Sequence, residues 1–116
     1  MNIIKSSPEN LTMKQLYDLT KSPEIKKLST MKGEELVIDS FCIYEDVKQD
    51  GTIITILSLK TDDGEMFATN SKTFTSDFLD ILAMCAESGA PMPHTIRVME
   101  GTSRAGRIYI SCVYVD

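Results

Sequence analysis

The sequence predicts a mainly β domain with helices, and three observations predict it. Five runs rich in β-branched and aromatic residues fall between residues 35 and 115, separated by turns that contain glycine. One amphipathic helical stripe lies between the third and fourth runs. The last two runs, 95–100 and 107–115, flank a turn bounded by Gly101 and Gly106, the signal of an antiparallel pair.

Taken in order, residues 1–9 read as frayed, with Pro8 ending any regularity. Thr12 and Gln15 have the spacing of a capping box, and Leu11, Leu16 and Leu19 recur at helical spacing, which predicts a helix over 12–20. Ser22 and Pro23 open a second predicted helix, with Ile25 and Leu28 toward the core and Gly33 as its stop. Residues 1–33 are thus expected to be a helical N-terminal extension, ahead of a β domain over 34–116.

The first strand, 36–47, is too long to keep one clean alternation, so a bend or bulge is expected near Asp39 and Ser40. Asp50 and Gly51 mark a tight turn, and 52–60 is a second strand dense in Ile and Leu. Asp62, Asp63 and Gly64 make another turn before a short third strand, 65–69, with Phe67 at its centre. Thr73 or Thr75 is then in place to cap a helix whose stripe is Phe74, Phe78, Ile81, Leu82 and Cys85. Gly89, Pro91 and Pro93 end it. Three strands, a helix and two strands, with a bent first strand, is the order of a five-stranded OB-like barrel.

A chain of 116 residues is expected to be one domain. It has no apolar run near the roughly 20 residues of a membrane helix, and its first residues lack the apolar core of a signal peptide, so a cytoplasmic protein is expected. Cys42, Cys85 and Cys112 are odd in number, widely spaced and in apolar contexts, which reads as buried free thiols. His94 is the lone histidine, so no metal or other cofactor is expected. No nucleophile–base pair and no phosphate-loop spacing is visible, so the chain is not expected to be an enzyme.

The net charge of −5 is unevenly spread. Residues 1–32 carry six lysines and three acids, 33–90 carry three lysines and twelve acids, and 91–116 carry three arginines and two acids. A polyanion would favour the two ends of the chain. Alternation in the last two strands puts Ile96, Val98, Ile110 and Cys112 on an apolar face and Arg97, Arg107 and Tyr109 on the other. Such a face suits a flexible polyanion with stackable bases, and it equally suits an ordinary solvated sheet. Tyr44, Phe67 and Tyr109 are candidate stacking rings, with core packing as the alternative for each. With Lys60, Lys72, Arg97, Arg104 and Arg107 they compose a candidate single-strand groove. Glu45–Asp46 and Asp62–Asp63 sit at predicted turns and read as solvated charge.

Residues 98–109, Val-Met-Glu-Gly-Thr-Ser-Arg-Ala-Gly-Arg-Ile-Tyr, together with 63–72 and the strand ending at Ile43-Tyr44, give the chain a further character. Over 35–116 it resembles the small single-stranded DNA-binding proteins of phages that replicate by protein priming, and related proteins of mobile elements. The resemblance implies binding of single-stranded DNA without sequence preference, coating displaced strands in the bacterial cytoplasm. It also implies work beside replication proteins such as a DNA polymerase. It assigns base stacking to Tyr44 and, by aromatic replacement, to Phe67. A competing expectation is an acidic protein-interaction module that captures or inhibits a nucleic-acid-binding host protein.

Overall fold

The long strand β3 (Glu35–Val47) organises the sheet, as seen in a computed structural model that describes residues 1–116. Before it come β1 (Asn2–Ser7), α1 (Met13–Thr20) and β2 (Lys26–Lys27), with a single 3-10 turn at Leu28–Met31. After it come β4 (Ile53–Thr61), β5 (Met66–Thr69), α2 (Lys72–Glu87), β6 (Thr95–Thr102) and β7 (Ile108–Tyr114). The strand order is β2-β5-β4-β3-β6-β7, with β1 paired to β3 off that path.

From Ile38 to Val47, β3 pairs antiparallel with β4. It also pairs with β6 through Glu35–Val37 and with β1 through Phe41–Glu45. The expected irregularity is present: the β3–β4 register shifts between Ile38 and Ser40, and Asp39 points to solvent. A shift of this kind bends a strand and lets its two halves serve different neighbours. The result is a mainly β, curled half-barrel of seven strands with two helices.

The concave side holds the core. Phe41, Leu57, Leu59, Phe67, Ile96 and Val98 meet Phe74, Phe78 and Leu82 of α2 there. Phe41 and Phe78 pack edge to face, centroids 5.1 Å apart. Ser71, rather than Thr73 or Thr75, caps α2, its hydroxyl accepting from the Phe74 amide at 3.2 Å. The helix also protects the last strand: the Cys112 amide donates to Asp77 Oδ2 at 3.1 Å. An otherwise exposed edge donor is thereby satisfied.

The N-terminal 33 residues differ from the expected helical extension. Residues 2–7 are a strand rather than frayed, because β3 offers them an open edge to pair with. The helix expected over 12–20 is present at Met13–Thr20, with both capping-box bonds formed between Thr12 and Gln15. No second α-helix forms over 22–33; only the single 3-10 turn at Leu28–Met31 is helical there. Ser22 and Ile25 close one turn, and Lys26–Lys27 then pair in parallel with Phe67–Ala68. Leu28, fully buried in the core, fixes this segment on the sheet.

Candidate nucleic-acid interface

Residues directly opposite each other on neighbouring strands share a sheet face. The pairs Ser40–Lys60, Cys42–Ser58, Tyr44–Ile56 and Asp46–Ile54 therefore lie on the face away from the core, as do Ser58–Ala68 and Lys60–Met66. Half of that face is covered. Leu19 of α1 packs on Cys42 and Tyr44, with Leu11 and Ile56 at the rim. Asp18, also buried, binds Lys14 at 3.0 Å and Lys60 at 3.3 Å. The bond from Lys14, then that from Lys60, holds the Asp18 carboxyl below the usual carboxylate range against the opposing effect of desolvation.

These contacts correct two of the expected positions. Tyr44 is only 4% exposed, and desolvation followed by the nearby Asp46 pushes its phenol pKa up. Lys60 is ion-paired with Asp18, a carboxylate it shares with Lys14. Phe67 is corrected more fully: it points to the core side, is 1% exposed, and carries the Lys26 ammonium over its ring, 5.8 Å from the centroid. Neither ring is presented to solvent. The reason is physical. Two buried aromatics fill volume that an eight-residue helix and a four-residue strand could not otherwise close.

The uncovered half of the same face is a groove lined by Lys27, Ser29, Ile54, Ile56, Ala68 and Asn70. It adjoins a second groove that shares Ser29 and Asn70 and adds Lys32, Ser71, Ile108 and Tyr109. Tyr109 is exposed, and it faces the same side of the β6–β7 pair as Arg97, Met99, Ser111 and Val113. The expected sharing of a face by Arg97 and Tyr109 is present. Arg97, however, forms an ion pair with Glu35 on the neighbouring strand.

Arg104 lies in the β6–β7 turn as expected, and Arg107, expected on the last strand, lies in that turn as well. Ser103 builds that turn: its amide donates to the Arg107 carbonyl at 2.8 Å and its hydroxyl accepts from the Arg107 amide at 3.1 Å. Gly106 supplies the left-handed residue, φ +80°. Both guanidinium groups are left exposed with no carboxylate partner, as are Lys27 beside the first groove and Lys72 at the start of α2. Lys32, at the second groove, pairs with Glu100 at 2.9 Å.

Lys27, Ile54, Ile56, Asn70 and Ile108 are site-lining residues that the sequence reading missed. A signal existed for the isoleucines: β4 is apolar on both faces at 53–57, where a strand covered on one side should alternate with polar residues. The acidic turns are closed on themselves. Asp63 is held low in pKa by the Thr61 hydroxyl, then the Glu65 amide, and Asp50 by Thr52. The thiols are buried; desolvation pushes Cys42 up to about 11 and Cys112 to about 12, leaving both protonated at neutral pH. No helix is long and apolar enough to cross a membrane.

No family model matches the chain, and neither a characterised protein nor a solved structure matches it.

Proposed function

We propose that residues 35–114 form an OB-like barrel and that the protein binds single-stranded DNA without sequence preference. The observation that carries this reading is the joining of two surfaces at Tyr109. An open groove over β4 and β5 ends at an exposed ring, and the ring stands at the base of a hairpin with two unpaired arginines. OB-type barrels bind strands across their second and third strands and flanking loops, which here are β4, β5 and the β3–β4 and β6–β7 turns. The order three strands, helix, two strands supports the same reading. So does the resemblance carried by residues 98–109.

Bases stack on Tyr109 and lie against Ile54 and Ile56, while Lys27, Arg104 and Arg107 neutralise phosphates and release counterions. The contacts are made to ring faces and backbone, so they select no sequence. In a replicating phage or mobile element the protein would coat displaced strands. The test is a titration of a fluorescent oligothymidine and of a duplex of equal length at two salt concentrations. The reading requires tighter binding of the single strand, weakening as salt rises. Equal binding of both, or no binding at low salt with capture of a basic protein instead, overturns it in favour of an acidic interaction module.

A further inference from the structure

Residues 8–24, which include α1, are held on the sheet differently from the segments on either side. Residues 2–7 pair with β3, Lys26–Lys27 pair with β5, and Leu28 is buried in the main core. Between these two moorings no backbone hydrogen bond joins the chain to the sheet. Side-chain contacts hold it instead. Leu19 packs on Cys42 and Tyr44 with Leu11 beside it, Asp18 pairs with Lys60 at 3.3 Å, and Lys21 pairs with Asp46 at 3.7 Å. The Leu19 cluster has three buried residues and is separate from the main core of 17. A segment with few buried apolar contacts and no backbone bonds to its neighbours opens more easily than the fold as a whole.

The segment covers a continuation of the groove over β4 and β5. Ile56 lines that groove and also borders the Leu19 cluster. Tyr44 lies directly opposite Ile56, and Ser58 lies opposite the lining residue Ala68. The groove floor thus runs on through Tyr44, Cys42 and Ser58 toward Lys60. Burial of this part of the face is imperfect, because the enclosed Ser58 hydroxyl has no hydrogen-bond partner. Asp18 is a buried anion held by Lys14 of its own helix at 3.0 Å and by Lys60 of the sheet. It occupies, on Lys60, the kind of charge-assisted position that a strand phosphate takes.

We infer that residues 8–24 are an autoinhibitory strap: α1 lifts from the outward face when a single strand enters, a phosphate replaces the Asp18 carboxylate on Lys60, and the uncovered Tyr44 lengthens the groove. This rests on the reading that the protein binds single-stranded DNA, and it adds regulation to that site. The two moorings keep the strap attached while it is open. Apparent affinity is then reduced by the fraction of molecules in which the strap is closed, so loosening the strap tightens binding.

The experiment uses the full chain, with Leu19→Ala and Asp18→Asn, folding verified for each by circular dichroism. Leu19→Ala removes the apolar anchor of the strap without changing charge, and Asp18→Asn removes its ionic one. Affinity for oligothymidine is measured by anisotropy, and amide hydrogen exchange is followed with and without the oligonucleotide. The strap requires both variants to bind several-fold tighter than the parent, whereas simple structural damage would weaken binding. It also requires the α1 amides to exchange faster when the oligonucleotide is bound, because an eight-residue helix off the sheet does not keep its own hydrogen bonds. Residues 2–7 and 26–28 should keep their protection. Binding by the variants where the parent binds weakly supports both the strap and the strand reading. Parent-like or weaker affinity in both variants, or α1 amides that slow on binding, overturns the strap while the strand reading stands. No binding by the parent or either variant at low salt overturns the strand reading, and the strap as a gate upon it.

Discussion

The ring of Tyr109 lies across Gly101, the residue directly opposite it on β6. A methyl group added at Gly101 would come 2.5 Å from Tyr109 Cζ and 2.6 Å from its hydroxyl oxygen. Gly101 has no positive φ, so its backbone would accept alanine; what forbids the side chain is the ring. Gly101→Ala should therefore dislodge the ring without unfolding the strand. Tyr109→Ala is expected to cost oligonucleotide binding about 1–3 kcal/mol, the usual worth of one stacking platform. Gly101→Ala should cost a comparable amount in the same anisotropy titration. Undiminished affinity in both variants would show that no base rests on Tyr109.

Phe67 makes the opposite prediction. Its ring is 1% exposed and packed in the main core. Phe67→Ala should lower stability by about 3–5 kcal/mol, read from urea unfolding. Phe67→Leu, which keeps most of the volume, should lose less and bind oligonucleotide as the parent does. A specific loss of binding in Phe67→Leu at unchanged stability would return the ring to the interface.

Asp18 predicts how the N-terminal cover responds to acid. Its folded pKa lies below the usual aspartate value, lowered chiefly by the hydrogen bond from Lys14 and then by that from Lys60. A depressed carboxylate pKa contributes stability that is complete above the unfolded pKa and is lost as pH falls through the folded one. Asp18→Asn should thus melt lower than the parent at pH 7, and the gap should narrow steadily below roughly pH 4, where the free carboxyl begins to protonate. A gap that stays constant down to pH 2 would mean that charge at Asp18 does not hold α1 on the sheet.

Arg104 and Arg107 belong to one turn and neither has an acidic partner. Each Ala substitution should leave stability within about 0.5 kcal/mol, as exposed positions do. Each should also reduce the salt slope of binding by about 0.7. Measuring log K against log salt for both variants checks this; slopes equal to the parent's would detach the turn from the phosphates.

The β domain was legible because its elements announce themselves locally. Gly51, Gly64 and Gly106 mark turns, the Phe74–Cys85 stripe marks a helix, and the length of β3 betrays its bend at Asp39. What was not legible depends on partners distant in the chain. Nothing in residues 2–7 says that β3 has a vacant edge, so a strand read as a frayed end. Alternation could place Tyr44 away from the core, but not foretell that Leu19 would cover it. The residues of the candidate groove divide the same way. Tyr109, Arg104 and Arg107 come from one hairpin and were found together, whereas Lys27, Ile54 and Asn70 meet only through folding.

One strand, β3, is bonded to β4 along one side and to β6 and β1 along the other. Detaching β4, β6 or β1 strips β3 of bonds on one flank, whereas β2, β5 and β7 touch it nowhere. The β3 amides bonded to β4 should therefore be among the slowest in the molecule to exchange with solvent, and those of the outer strands β2 and β7 among the fastest.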